Sequence, residues 1–125
     1  SFIGESYSLE KPSSLKGFEW VTEDGQVIVR PEFVDIVKAS EITDLRVANR
    51  GVVKNVTYRG NIWQVEAMVG GQTVFGTRSL EQSPLQPGEE VYVIFRRLLL
   101  FAQGQPVVLE NRLKPGEEKR VPAFV

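Results

Sequence analysis

Apolar and polar residues alternate along most of this chain with a period of two. Trp63, Val65, Ala67 and Val69 interleave with Ile62, Gln64, Glu66 and Met68, and the run stops at Gly70-Gly71 before Gln72 to Thr77 begins. A Gly-Gly pair between two such runs predicts a hairpin, because glycine supplies the positive φ that tight hairpin turns require. Glu90 to Phe95 reads as a further strand, with Pro87-Gly88 as the turn before it. Gly25 to Arg30 reads as another, stopped by Pro31, which cannot donate to a ladder. Gly51 to Tyr58 makes one more, ending at Arg59-Gly60, and Gln105 to Leu109 is a weaker sixth. Helical signal is thin: Ser40 to Leu45 and Arg78 to Gln82 are long enough for a turn each. Neither sustains apolar residues at i, i+3, i+4 and i+7.

Short strands punctuated by Gly and Pro predict an all-β barrel or sandwich, and a small Greek-key barrel of the OB type fits the strand count best. The expected organisation is a linker and partial first-barrel segment over 1–25, an OB-fold-like domain over 26–113 and a charged tail over 114–125. Within the first segment, Ser6 to Lys16 is polar and reads as loop or linker; the Glu- and Lys-rich tail with Pro115-Gly116 reads as a fraying end. The opening Ser1-Phe2-Ile3-Gly4-Glu5, without an initiator Met, suggests a piece of a longer protein, although processing would leave the same start.

Composition narrows the chemistry. At 125 residues the chain is one domain, or two very small barrels sharing strands, with 42% apolar and 25% charged residues, as in ordinary globular proteins. It holds no cysteine and no histidine, which removes disulfides, thiolate nucleophiles, Cys-based metal sites and any Ser–His–Asp arrangement. A net charge of −1 lacks the basic surplus of a dedicated nucleic-acid binder. The longest apolar run, Leu98 to Ala102, is far short of the roughly 20 residues that span a bilayer as a helix.

Five patterns invite a chemical reading. Gly71 to Gly76 has the glycine spacing of a phosphate loop, but Thr77 stands where that loop needs Lys, so a hairpin turn and a point of strand crowding explain the glycines better. Asn55-Val56-Thr57 matches a glycosylation sequon by chance within a strand, and Asp24, Glu89 and Glu90 read as carboxylates of solvated turns. Arg50, Lys54 and Tyr58 share one parity while Arg59 and Trp63 fall on the other, which splits a basic-plus-aromatic stacking platform unless Gly60 carries a bulge. Arg96-Arg97 reads as a strand-end pair able to hold an oxyanion.

Several segments together resemble one family. Val29-Arg30-Pro31-Glu32-Phe33-Val34-Asp35-Ile36 looks like the hydrophobic-RPE-x-hydrophobic signature of the accessory domain in importer ATPases. Gly51 to Gly60, Leu85 to Val93 (an L-x-x-G-x-x-V-x-V pattern), Leu98 to Phe101 and the opening Phe2-Ile3-Gly4 are similar to that family's remaining elements, in the same order. The resemblance covers residues 1–5 and 27–101 and is to the TOBE-type, OB-fold accessory region of ABC importer ATP-binding subunits serving maltose, sulfate, molybdate, ferric iron or polyamines. The stretch from Gly4 to Arg30 is shorter than that family's, which implies an incomplete first barrel or strands borrowed from a partner. The small-residue pattern of molybdate-binding relatives has no match here.

The resemblance implies a non-catalytic regulatory and dimerisation domain, with no cofactor in this chain. Its expected partners are a second copy of the ATPase subunit and the transporter's membrane subunits, with a small oxyanion or a regulatory protein as candidate ligand. The implied place is the cytoplasmic side of the inner membrane, peripheral to it. An alternative is a stand-alone oxyanion binder using Arg30, Lys54, Arg96 and Arg97. A second alternative is an OB-fold nucleic-acid binder using Lys54, Tyr58, Arg59 and Trp63. The candidate contacts are therefore Arg30, Lys54, Arg59, Arg96 and Arg97.

Overall fold

The structure, a computed structural model, describes residues 6–113. Nine strands follow in order: β1 Tyr7–Leu9, β2 Gln26–Val29, β3 Val34–Val37, β4 Asn49–Tyr58, β5 Ile62–Val69, β6 Gln72–Ser79, β7 Glu90–Phe95, β8 Arg97–Ala102 and β9 Gln105–Glu110. All six strands read from the alternation are among them. The expected turn at Ser40–Leu45 resolves into short 3₁₀ segments at Ala39–Glu41 and Leu45–Val47. Arg78, by contrast, lies within β6 and not in a turn.

Five strands close a barrel in the order β3-β6-β5-β4-β7, and the other four form an open sheet in the order β1-β2-β8-β9. The fold is thus all-β and OB-like, and what the sequence suggested as an incomplete first barrel is an open sheet shared between the two ends of the described chain. The barrel is a β4–β5–β6 meander completed by β7 and β3. Gly70 and Gly71, both at positive φ, make the β5–β6 turn, as the Gly-Gly signal required.

The stretch read as a linker is structured. Tyr7 places β1 against the outside of the barrel, its hydroxyl donating to the Phe75 carbonyl at 2.6 Å and its ring meeting Phe75 edge-on at 5.4 Å. Downstream, Leu9, Leu15, Phe18 and Val21 join a single buried cluster with Val27 and Val29 of β2, Leu98 and Leu100 of β8, and the barrel interior. Three-residue β1 is too short to carry a readable alternation, and Phe18 sits in irregular chain, so periodicity is blind to both. The charged segment 114–125 lies outside the described residues.

Barrel closure is weakest where β3 meets β6. That junction is parallel and holds a single register pair, Asp35 with Thr77, whereas β3 pairs with β7 over four residues. Close approach there depends on Gly76, where a Cβ would stand 2.8 Å from the Val34 carbonyl oxygen and 2.9 Å from Ile36. This is the crowding point inferred from the glycine pattern.

Arg78 spans the same seam. Its side chain is fully buried, pairs with Glu41 through both carboxylate oxygens at 2.8 and 2.9 Å, donates to the Ile36 carbonyl of β3 at 3.1 Å, and donates through Nε to the Ser83 carbonyl at 2.7 Å. The guanidinium therefore binds β6, β3, the Ala39–Glu41 turn and the loop before β7 in one group. The Glu41 carboxylate also accepts the Lys38 backbone N–H at 2.7 Å. These hydrogen bonds, led by Arg78, hold its pKa below the ordinary glutamate value against the opposing effect of burial.

Gly76→Ala should lower unfolding free energy by about 1–3 kcal/mol, the usual cost of overpacking, because backbone oxygen cannot move aside as a side chain can; urea denaturation measures it. Arg78→Met should cost about 1–3 kcal/mol, since it takes the donor from the buried Ile36 carbonyl while the exposed Glu41 and Ser83 can turn to water. The Glu41 contribution has a definite pH sign. With a lowered native pKa the unfolded chain binds more protons, so stabilisation is full above the ordinary carboxylate range and disappears as pH falls through the native value. A pH series of melts should therefore show a shallower acid limb in Glu41→Gln than in the parent chain.

Candidate functional site

The β2–β3 connection carries Arg30-Pro31-Glu32-Phe33. Pro31 fixes φ at the start of a 3₁₀ turn over Pro31–Phe33, which ends β2 and starts β3, so this turn joins the open sheet to the barrel. The second chain crossing between the two layers is at Arg96, between β7 of the barrel and β8 of the sheet. The Arg96 N–H donates to the Phe33 carbonyl at 2.9 Å, which locks the two crossings together.

Three of the five predicted contacts meet here. Arg97 and Arg96 hold their guanidinium carbons 5.3 and 5.8 Å from the centre of the Phe33 ring, a cation–π arrangement. Arg30 and Arg97 both line a small cavity of about 130 Å³ with Phe33, Ile28, Leu99 and Val108. A wider depression of about 420 Å³ shares Ile28, Arg30 and Leu99 with it and extends to Phe101 and Gln26. Together they give the outer face of the open sheet an apolar floor with guanidinium groups at one end.

Each of these arginines already has a carboxylate. Arg30 pairs with Glu32 at 2.7 Å, Arg96 with Asp35 at 3.0 Å, and Arg97 with Glu110 at 2.8 Å. Arg96 also donates to the Glu32 carbonyl. The arginine side chains are 43–50% exposed, so each pair contributes no more than about 1 kcal/mol and an incoming anion can compete for it. Burial raises the pKa of Asp35 above the ordinary aspartate value, with Arg96 opposing. Glu32 Oε1 has no hydrogen-bond partner among the described residues, although its side chain is 39% exposed.

Lys54 and Arg59 lie elsewhere, on the β4–β5 hairpin, and line neither cavity. Lys54 pairs with Glu66 at 3.4 Å across the hairpin, and Arg59 donates to the Gln64 side chain at 2.6 Å. Tyr58 and Trp63, which chain parity assigns to opposite faces, lie on one face. The two are direct cross-strand partners, their rings 5.5 Å apart and tilted by 59°. Parity does not carry across a hairpin turn: partners share a face whatever the sum of their numbers. β4 also carries a register shift between Val53 and Asn55, which reverses the sidedness of its two halves. The glycosylation sequon falls just after that shift.

Phe33 and the counter-charges Asp35 and Glu110 were not among the predicted contacts. Only Phe33 had a signal in the sequence, as the aromatic following RPE. The pairing of Arg97 with Glu110 depends on the β8–β9 hairpin, and that of Arg96 with Asp35 on the long-range pairing of β3 with β7. No three His, Cys, Asp or Glu residues among the described ones gather as a metal ion would require. No helix among the described residues is long and apolar enough to cross a membrane, which leaves strand-based crossing untouched.

Comparison with the curated proteins gives no match. A family model of the TOBE domain matches residues 27–102, more than half of the chain, from Val27 in β2 to the end of β8. By fold and by that match, the chain belongs to the TOBE domain family.

Proposed function

We propose that this chain is the non-catalytic regulatory and dimerisation region of an ABC importer's ATP-binding subunit, whose ATPase motifs lie outside these 125 residues. The observation that carries the reading is the TOBE match over residues 27–102, in a segment that contains the RPE turn and the L-x-x-G-x-x-V-x-V strand in the family order. The turn at Pro31–Phe33 suits such a role, because it couples two layers that a partner can grip separately. A ligand or protein that binds one dimer arrangement better than another shifts the population competent to close on ATP by its differential affinity.

A second reading has its own observation. Arg30, Arg96 and Arg97 gather around Phe33 with exposed guanidinium groups, which suits a small tetrahedral oxyanion displacing the weak carboxylate pairs. The nucleic-acid reading retains only the tilted Tyr58–Trp63 ring pair, set against a net charge of −1.

A melt panel with sulfate, molybdate, tungstate, phosphate, spermidine, maltose and a short single-stranded oligonucleotide separates these readings. A ligand bound only to the folded chain at about 100 times its Kd adds roughly 2.7 kcal/mol, well within resolution. The regulatory reading predicts that the genomic reading frame upstream of Ser1 encodes a phosphate loop, and a frame without one contradicts it. A melt raised by one oxyanion, and no longer raised in Arg97→Ala, assigns the arginine cluster to anion binding; an unmoved panel excludes that assignment and the oligonucleotide with it.

A further inference from the structure

The open sheet ends at β9, and among the described residues no strand lies on its far side. Asn111 N–H donates to the Arg96 carbonyl at 3.1 Å, so the Arg96–Asn111 position is a hydrogen-bonded pair of the β8–β9 ladder. Such pairs alternate with non-bonded ones in an antiparallel ladder. Leu109, Val107 and Gln105 therefore point their backbone groups at β8, and Glu110, Val108 and Pro106 point theirs away from the sheet. Pro106, which has no N–H, falls on the outward set, where it costs the ladder nothing.

The edge is also apolar on both faces. Val108 is 54% exposed on the outer face, beside Leu99 and Ile28 in the same row, and Val107 is 37% exposed on the inner face. Natural sheets usually blunt a free edge with charge, bulges or inward-pointing lysines. Here only Pro106 and Glu110 interrupt it, one at each end of the outward set.

We propose that β9 is a homodimer seam, in which a second copy of this chain adds its own β9 antiparallel across a two-fold axis passing beside Val108. This rests on the reading of the chain as a dimerisation module and locates the surface. In that register Val108 faces Val108 of the second copy, and Glu110 faces the copy's Pro106. Val108 N–H and C=O exchange reciprocally, and each Glu110 N–H meets the opposing Pro106 carbonyl, giving four backbone hydrogen bonds from the outward groups alone. The missing Pro106 N–H falls only at the two ends of the seam, where the Glu110 carbonyl is left to water.

Side chains agree with this register. Val107 lies opposite Leu109 of the copy in a non-bonded pair, the geometry in which side chains approach closest, so its exposed surface is covered. On the outer face the row Ile28–Leu99–Val108 continues into the same row of the copy. The two Glu110 carboxylates sit at opposite ends of the seam, each held by its own Arg97 at 2.8 Å, so no like charges meet.

The test uses the full 125-residue chain, which has no cysteine of its own. Val108→Cys places one thiol on the axis, where opposed Cα atoms of a hydrogen-bonded pair stand about 5.5 Å apart, within disulfide reach. Mild oxidation should give a covalent dimer at least tenfold faster than in Tyr58→Cys, an exposed control position in the barrel and not in the open sheet. Val108→Pro removes an N–H that the β8 ladder does not use, so light scattering should show at least a tenfold weaker dimer.

A parent chain that stays monomeric at millimolar concentration overturns the seam and the dimerisation reading together. A parent dimer that survives Val108→Pro, with Val108→Cys no faster to cross-link than the control, overturns the seam alone.

Discussion

A buried arginine inside a β-barrel is an expensive choice, and Arg78 is tolerated because every part of its guanidinium that the fold uses has a partner. The barrel has one poor seam, the parallel meeting of β3 and β6, where a single register pair replaces the ladders found at the other junctions. A hydrophobic side chain could fill the space but could not tie the Ile36 carbonyl, Glu41 and Ser83 to β6. Gly76, two residues earlier on the same inward face, lets the backbones approach, and Arg78 then fastens them. The position of β3 fixes where the Pro31–Phe33 turn lies, and that turn fixes where the arginine cluster and the open sheet stand relative to the barrel.

Alternation and Gly or Pro boundaries made the barrel's meander, β7 and β9 readable, and four-residue β2 is readable because Gly25 precedes it and Pro31 follows it closely. Arg78 was legible too, though it went unread. Val74, Gly76 and Arg78 share a parity, so a strand that buries Val74 must also turn Arg78 inward. What the sequence does not display is pairing between distant segments. β1 and β3, three and four residues long, draw their strand character from β2, β6 and β7 and not from their own pattern. Phe18 is buried from irregular chain for the same reason.

The candidate site divides along the same line. Arg96-Arg97 and the RPE turn stood out individually, while their convergence on Phe33 and their pairing with Asp35 and Glu110 are products of topology. The Tyr58–Trp63 contact escaped because face parity was counted through a turn that resets it. Membership of the TOBE family accounts for the span from Val27 in β2 to the end of β8. The strands that flank that span, β1 and β9, are the two edges of the open sheet, so the elements beyond the family match are the ones that set its outer boundary.

The most direct test of the seam as keystone is native-state hydrogen exchange across a range of low denaturant concentrations. If Arg78 welds β3 into the barrel, amides of Val34 to Val37 should exchange only with global unfolding, at the same free energy and denaturant dependence as the slowest amides of β5. Exchange of β3 through a local opening, several kcal/mol below the global value and insensitive to denaturant, would show that the meander with β7 stands without it and would contradict the account.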